Sequence, residues 1–328
     1  MSNSIIEVAL ARTALILGLK ALGAQPGQII LVPNYCCDVV FSPLVELELG
    51  VKTYKLKSDL TPDWDYLNGI DTKNVFGIMM IHYFGQPQKV ENFYNYCRVN
   101  RIKLIEDNAH GFGGSYQGKK LGQLGDIGIS SPRKILGTPQ GGLLFLKSET
   151  KKINLNSLLR TPPFSSQVLN LIKFLISRFP PLYNYMVVQK LRRYNFSDPY
   201  AFKEKAQPHV GVSAVEKFFL NTAKTEEMAK SRRQLWKEWE GYLTKHGLRP
   251  VFKKLDESSC PWAIPFYCDN IEQRNDWISW GLIRNLPFFC WPSLPDAQIQ
   301  KGDCAFEKWA TIVCVPLNVM PPKHKNMV

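Results

Sequence analysis

Over the first 147 residues, apolar side chains alternate between helical spacing and the short continuous runs of buried strands. That alternation predicts a mostly parallel sheet wrapped by helices. Ile5 to Leu22 reads as a helix closed by Gly23. Ile29 to Val32, Thr53 to Lys55, Phe76 to Ile81, Leu104 to Glu106, Ile127 to Ser130 and Gly142 to Leu146 read as strands, each ending near polar residues, Gly or Pro. Ligands of such sheets gather beyond the carboxyl ends of the strands. Pro33 to Cys37, His82 to Gln86, Asp107 to His110 and Ser130 to Lys134 are therefore expected around one crevice.

The pattern changes after residue 147. Val168 to Phe179 and Tyr183 to Tyr194 are apolar and basic, and Pro180 and Pro181 between them predict two helices separated by a turn. Such a pair reads first as a face packed on the main body or on a partner subunit. The other reading is a weak peripheral contact with an anionic membrane. Ser213 to Leu243 predicts one long charged helix, and a smaller α+β unit begins near Leu248. The expected division is a large α/β domain over 1–212, with a helical insert over about 151–206, and a second unit over 213–328. No run of about eighteen apolar residues and no internal repeat interrupts this scheme.

Composition narrows the class. In 328 residues, 45% apolar and 21% charged side chains are ordinary for a folded globular protein. A formal charge of +13 favours anionic partners, namely nucleotides, phosphates or a membrane face. The basic residues are spread out and no nucleic-acid-binding module is present, so nucleic acid is set aside. Eight cysteines without CxxC spacing, and no apolar leader core at the start, give the expectation of a reduced cytoplasmic protein without a metal site. Adjacent Cys36 and Cys37 read as small packing side chains.

Two segments carry chemistry. Leu104-Ile-Glu-Asp-Asn-Ala-His110 sets an acid and a histidine just beyond an apolar strand, although an acid there serves equally well as a helix cap. Ser130-Ser-Pro-Arg-Lys-Ile-Leu-Gly-Thr-Pro-Gln-Gly-Gly142 holds Lys134 in a Ser, Gly and Pro-rich turn. A lone lysine is ordinarily a solvated charge; hydroxyls, glycines and a facing acid set this one apart. Pyridoxal phosphate needs an amine, a carboxylate beside its ring nitrogen and donors for its phosphate, and these segments supply all three.

The run Ile105-Glu-Asp-Asn-Ala-His-Gly-Phe-Gly-Gly-Ser-Tyr-Gln-Gly-Lys-Lys-Leu-Gly-Gln-Leu-Gly-Asp126 closely resembles a stretch of the DegT/DnrJ/EryC1/StrS sugar aminotransferases. Ala11-Arg-Thr-Ala-Leu15, Val32-Pro-Asn-Tyr35 and Ile81-His-Tyr-Phe-Gly-Gln-Pro87 are similar to further family segments, in the same order. Arg232-Arg233, Trp277 to Leu282 and Val315-Pro316-Leu317 resemble its closing segments. The resemblance implies a fold-type I aminotransferase: a large, mostly parallel mixed sheet wrapped by helices, plus a smaller C-terminal α+β domain. It implies that Lys134 anchors pyridoxal 5'-phosphate, Asp107 pairs with the ring nitrogen and His110 lies near the ring hydroxyl. Amides around Arg12 and Thr13 would hold the phosphate with a hydroxyl from Ser130 or Ser131.

The departures are as specific. The turn before Lys134 is slightly shorter than the family pattern. Cys37 stands where the ring-stacking aromatic is usual, so that either Tyr35 takes that role or the loop is shifted. His209 stands where relatives place an asparagine that reaches the neighbouring subunit's phosphate. The implied activity is amino transfer from an amino acid, glutamate first, to a nucleotide-linked keto sugar in amino-sugar or surface-polysaccharide biosynthesis, by a homodimer. The alternatives are a cofactor-binding or regulatory homologue without turnover, and a sugar dehydratase using the pyridoxamine form. Lys134 speaks against the dehydratase, because those relatives carry histidine there.

Overall fold

The computed structural model describes residues 4–147, 155–199, 209–295 and 304–322. The chain opens with strand β1 (Ser4–Val8) and helix α1 (Ala11–Leu22), followed by β2 (Ile29–Pro33), α2 (Phe41–Glu46), β3 (Gly50–Tyr54), α3 (Trp64–Asn68) and β4 (Val75–Ile81). Next come α4 (Val90–Asn100), β5 (Lys103–Asn108), the short strands β6 (Ser115–Tyr116) and β7 (Lys119–Lys120), β8 (Ile127–Ser130), α5 (Arg133–Leu136) and β9 (Gly142–Leu146). A hairpin of α6 (Phe164–Ser177) and α7 (Pro180–Leu191) follows, then α8 (Ala214–Asn221) and α9 (Thr225–Lys245). The last elements are β10 (Arg249–Pro250), β11 (Ala263–Tyr267), α10 (Ile271–Ile283), α11 (Cys304–Thr311) and β12 (Ile312–Pro316).

Seven strands form the main sheet in the order β1-β9-β8-β5-β4-β2-β3. β3, β2, β4, β5 and β8 run parallel, whereas β9 is antiparallel to β8 and β1 is antiparallel to β9. Near-continuous apolar runs such as Phe76 to Ile81 suit strands covered on both faces. Helix α1 lies close on β8 and β9; a Cβ at Gly18 would stand 2.7 Å from the Ile127 side chain and 2.9 Å from that of Leu144. A second, antiparallel sheet β10-β11-β12 is packed by α9 and α10 through Trp236, Trp239 and Trp277, with Phe288 added from the loop after α10. Its buried residues join those of the main sheet in one apolar cluster.

Three expected elements differ. Ser4 to Val8 is not the start of a helix but an edge strand paired with Gly142 to Leu146, and α1 begins only at Ala11. The long charged helix is two helices: Ser213 caps α8 through a reciprocal bond with Glu216, and the chain turns before α9 starts at Thr225. Pro180 and Pro181 do not separate the hairpin helices from outside but stand in the first turn of α7, where a missing N–H costs nothing. Parts of the expected helical insert, 151–154 and 200–206, lie outside the described residues. No described helix is long and apolar enough to cross a membrane.

Candidate active site

Because β2, β4, β5 and β8 are parallel, their carboxyl ends open on one edge of the sheet. A cavity of about 550 Å³ lies there, within the usual range for small-molecule sites. Asp107 and Ala109 reach it from the end of β5, Ser131 and Lys134 from the turn after β8, Arg12 from the start of α1 and Cys37 from the loop after β2. Trp262, Phe289 and Trp291 close it from the C-terminal unit.

Two features of the local chain hold this edge in place. The first is Gly128 in β8, where a Cβ would stand 1.8 Å from the Gly122 carbonyl oxygen, so the glycine-rich loop lies directly on the strand. The second is Glu106, fully buried, which accepts the N–H groups of Gly122 (2.6 Å), Leu124 (2.6 Å) and Gly125 (3.0 Å). His82 Nδ1 accepts the Gln88 N–H at 3.0 Å, so its Nε2 carries the proton and donates to Glu106 Oε1 at 2.9 Å. The acid of the Glu-Asp pair that lies outside the cavity lining thus fastens the glycine-rich loop to β5.

Asp107 is buried, and its Oδ1 accepts the Ala109 N–H at 2.8 Å. Burial raises its carboxyl above the ordinary range; the Ala109 bond and then the charge of Lys134 oppose that rise. Lys134 sits on the single turn α5, with Nζ 4.6 Å from the centroid of the Trp262 ring, where the indole face attracts its charge. Amine, carboxylate and aromatic face therefore share one cavity.

His110 lies beside this group rather than in the cavity wall. It is buried between Trp262 (4.6 Å between centroids) and Trp291 (4.8 Å), and its Nδ1 accepts the Phe84 N–H at 3.2 Å. Burial, reinforced by the charge of Lys134, pushes it well below the usual imidazole value. The ring is neutral at physiological pH with its proton on Nε2.

Residues 2–162 match the model of the DegT/DnrJ/EryC1/StrS aminotransferase family. Over this segment, just under half of the chain, the sequence is similar to that family. GDP-perosamine synthase of Caulobacter vibrioides is 31% identical over 137 residues, 40% of this chain and 36% of that protein. The dTDP-4-dehydro-2,3,6-trideoxy-D-glucose 4-aminotransferase of Saccharopolyspora spinosa is 27% identical over 137 residues, 40% of this chain and 35% of that protein. The matched segment spans little more than a third of the length of these curated relatives. Helicobacter pylori PseC, an aminotransferase of pseudoaminic acid biosynthesis, superposes with a TM-score of 0.68 at 14% identity, covering 96% of this chain and 82% of PseC. The PLP form of Spr1654 from Streptococcus pneumoniae gives 0.67 at 16%, with the same coverage. The architecture is that of the fold-type I aminotransferases.

Of the residues that family resemblance singles out, Lys134, Asp107, Arg12 and Ser131 line the cavity and His110 adjoins it. The others stand elsewhere. Tyr35 is fully buried in the core, its hydroxyl donating to the Trp291 carbonyl and its own carbonyl accepting from Tyr83, which removes it as a ring-stacking face. Ser130 donates its hydroxyl to the Asn108 carbonyl at 3.1 Å, and Thr13 is buried within α1, so Ser131 is the hydroxyl in the wall. His209 pairs with Glu46 at 2.7 Å outside the cavity. Cys37 occupies the wall in its own register.

Two participants escaped the motif reading. Trp262 had no motif around it. Arg232 stood out only as part of a short family-like segment, yet its guanidinium donates to the Pro261 and Trp262 carbonyls (both 3.2 Å) and to that of Ile135 (3.1 Å). It fastens the Trp262 segment to the residue that follows Lys134.

Proposed function

We propose that this chain is a pyridoxal-phosphate-dependent aminotransferase that moves an amino group from an amino acid, glutamate first, onto a nucleotide-linked keto sugar. The observation that carries this reading is the pairing of Lys134 and Asp107 in one cavity built by the parallel strand ends. The family match and the sugar aminotransferases among its relatives support it. The donor set suits the cofactor: an amine against an aromatic face, a buried carboxylate, the start of α1 without an acidic side chain, and the Ser131 hydroxyl.

When bound, pyridoxal phosphate supplies an electron-withdrawing ring that makes a proton on a substrate carbon removable. In this reading Lys134 anchors the cofactor through its amine and, once released, holds and moves that proton at Nζ. Asp107 keeps a proton on the ring nitrogen, aided by burial that favours sharing it. Arg12 and Ser131 hold the phosphate at the start of α1, where the helix dipole favours an anion. Trp262 limits the arc through which the Lys134 ammonium swings and, with Trp291, keeps water from it. His110, neutral and wedged between the two indoles, fixes their spacing. A homodimer belongs to the same reading, on the strength of the family, and sedimentation velocity tests it.

The decisive experiment adds pyridoxal phosphate to purified protein. A visible absorbance band that borohydride fixes to the chain, absent in Lys134→Ala, and lost from wild type on adding L-glutamate, is the expected result. A colourless wild type ends the reading. A band that glutamate leaves unchanged would mark a cofactor-binding homologue without turnover.

A further inference from the structure

Helix α6 carries most of its large apolar side chains on the outside. Its buried side chains are Asn170, which donates to Glu216 Oε1 at 2.9 Å, and Phe174, which stacks on Phe219. Outward it presents Phe164, Val168, Leu171, Ile172, Leu175 and, just beyond its end, Phe179, all between 38% and 80% exposed. Steps of three and four residues place these on one stripe, and α7 extends it with the exposed Leu182, Tyr185 and Met186. A surface helix ordinarily has the reverse arrangement, and a continuous exposed apolar face marks a contact surface.

The charge on this face selects what covers it. From Thr150 to Ser197 the sequence has eight Lys and Arg and no Asp or Glu. Lys173, Lys190 and Arg193 of the hairpin region are exposed. A second copy meeting the face across a two-fold axis would set bases against bases with no acid between them. An anionic bilayer offers both an apolar layer for the stripe and phosphates for the bases.

We propose that the α6–α7 hairpin seats the protein on an anionic lipid surface, its apolar stripe in the boundary between headgroups and acyl chains. The inner side of the hairpin contributes Ser177, Tyr183, Val187 and Leu191 to the wall of the cavity. Seating therefore brings the cavity to the membrane surface. The seating makes no use of Lys134 and stands independently of the proposed reaction.

Flotation of the intact chain with phosphatidylcholine vesicles, alone or mixed with phosphatidylglycerol, tests this alongside sedimentation velocity of the free protein. The protein floats with the mixed vesicles and not with the neutral ones, and added salt weakens the binding. Replacing Lys173→Gln, Lys190→Gln and Arg193→Gln together weakens partitioning roughly a hundredfold, at about tenfold or less per charge near such a surface. The triple change Ile172→Ser, Leu175→Ser and Phe179→Ser abolishes flotation with Tm unchanged, because all three side chains are exposed, and Lys134→Ala floats like wild type. The proposal is overturned if wild type stays unbound on the mixed vesicles or if both triple variants float like wild type. It is also overturned if the apolar variant turns a dimer into monomers, which would give the face to a second copy.

Discussion

At the scale of single residues, the two acids of the Glu106–Asp107 pair divide structure from chemistry. Successive strand residues point to opposite faces, so one faces the loop and the other the cavity. Glu106→Ala leaves three backbone donors and His82 without their acceptor, and should cost about 3 kcal/mol or more in urea unfolding. A loss under about 1 kcal/mol would show that the loop does not rest on this carboxylate. Asp107 behaves in the opposite sense. Its folded-state pKa is raised, so the native state holds that proton more tightly than the unfolded chain does, and stability drains away as pH rises from the unfolded carboxylate range through the folded value. Asp107→Asn should therefore raise Tm of the cofactor-free protein at neutral pH while lowering turnover by about 10²–10⁴-fold. A lower Tm in that variant would contradict the burial cost. His110 is depressed instead: its contribution is complete above the unfolded imidazole value near 6.5 and fades as pH falls below it. Its NMR resonances should accordingly show no protonation through the range where an exposed histidine titrates.

Elements carried in the local pattern were legible from the sequence, and those made by distant partners were not. β2, β4, β5 and β8 read correctly because each is an apolar run flanked by its own turn residues, whereas the half-buried β3, Gly50–Tyr54, shares only Thr53 and Tyr54 with its expected span. β1 did not, since Ser4 to Val8 becomes a strand only by pairing with β9, about 140 residues later, and nothing local distinguishes it from a helix start. The start of α8 was readable, as Ser213 and Glu216 form a capping box, but the break before α9 was not, because the stop at Thr222 carries neither Gly nor Pro and Lys224 gives α9 no side-chain cap. The same logic governs the site. Lys134 and Asp107 lie in dense motifs, while Arg232 matters through three carbonyls on two other segments, a relation that spacing cannot encode. Arg232→Lys keeps the charge but cannot donate to all three carbonyls in the fixed geometry of a guanidinium. It should destabilise the fold by about 2 kcal/mol and loosen Trp262 against Lys134. Chemical unfolding measures the first effect, and a slower, less complete borohydride fixation of cofactor measures the second; wild-type values for both would remove Arg232 as a positioning residue.

For the whole molecule, the cavity is assembled by two sheets that share one apolar cluster. The main sheet supplies Asp107 and Lys134, whereas Trp262, Phe289 and Trp291 come from the unit that includes β11 and β12. Neither sheet alone encloses the site, so a ligand that fills it binds the docked arrangement and not the unfolded chain. Mass action then stabilises the entire fold, by about 2.7 kcal/mol at a ligand concentration a hundredfold above Kd. Pyridoxal phosphate should raise Tm in one cooperative transition, with both sheets melting together. The same geometry supplies an optical signal. Trp262 lies in the wall against Lys134, while Trp236 and Trp239 are buried in the core away from the lining. Cofactor binding should quench the tryptophan emission of the wild type, and Trp262→Phe, which keeps an aromatic face beneath the amine, should remove much of that quench while retaining the Tm shift. Trp291 lines the same cavity, so full quenching that persists when Trp262→Phe and Trp291→Phe are combined would mean that the bound ring sits away from the Lys134–Trp262 pair, and would separate the site of cofactor uptake from the cavity in which amine and carboxylate meet.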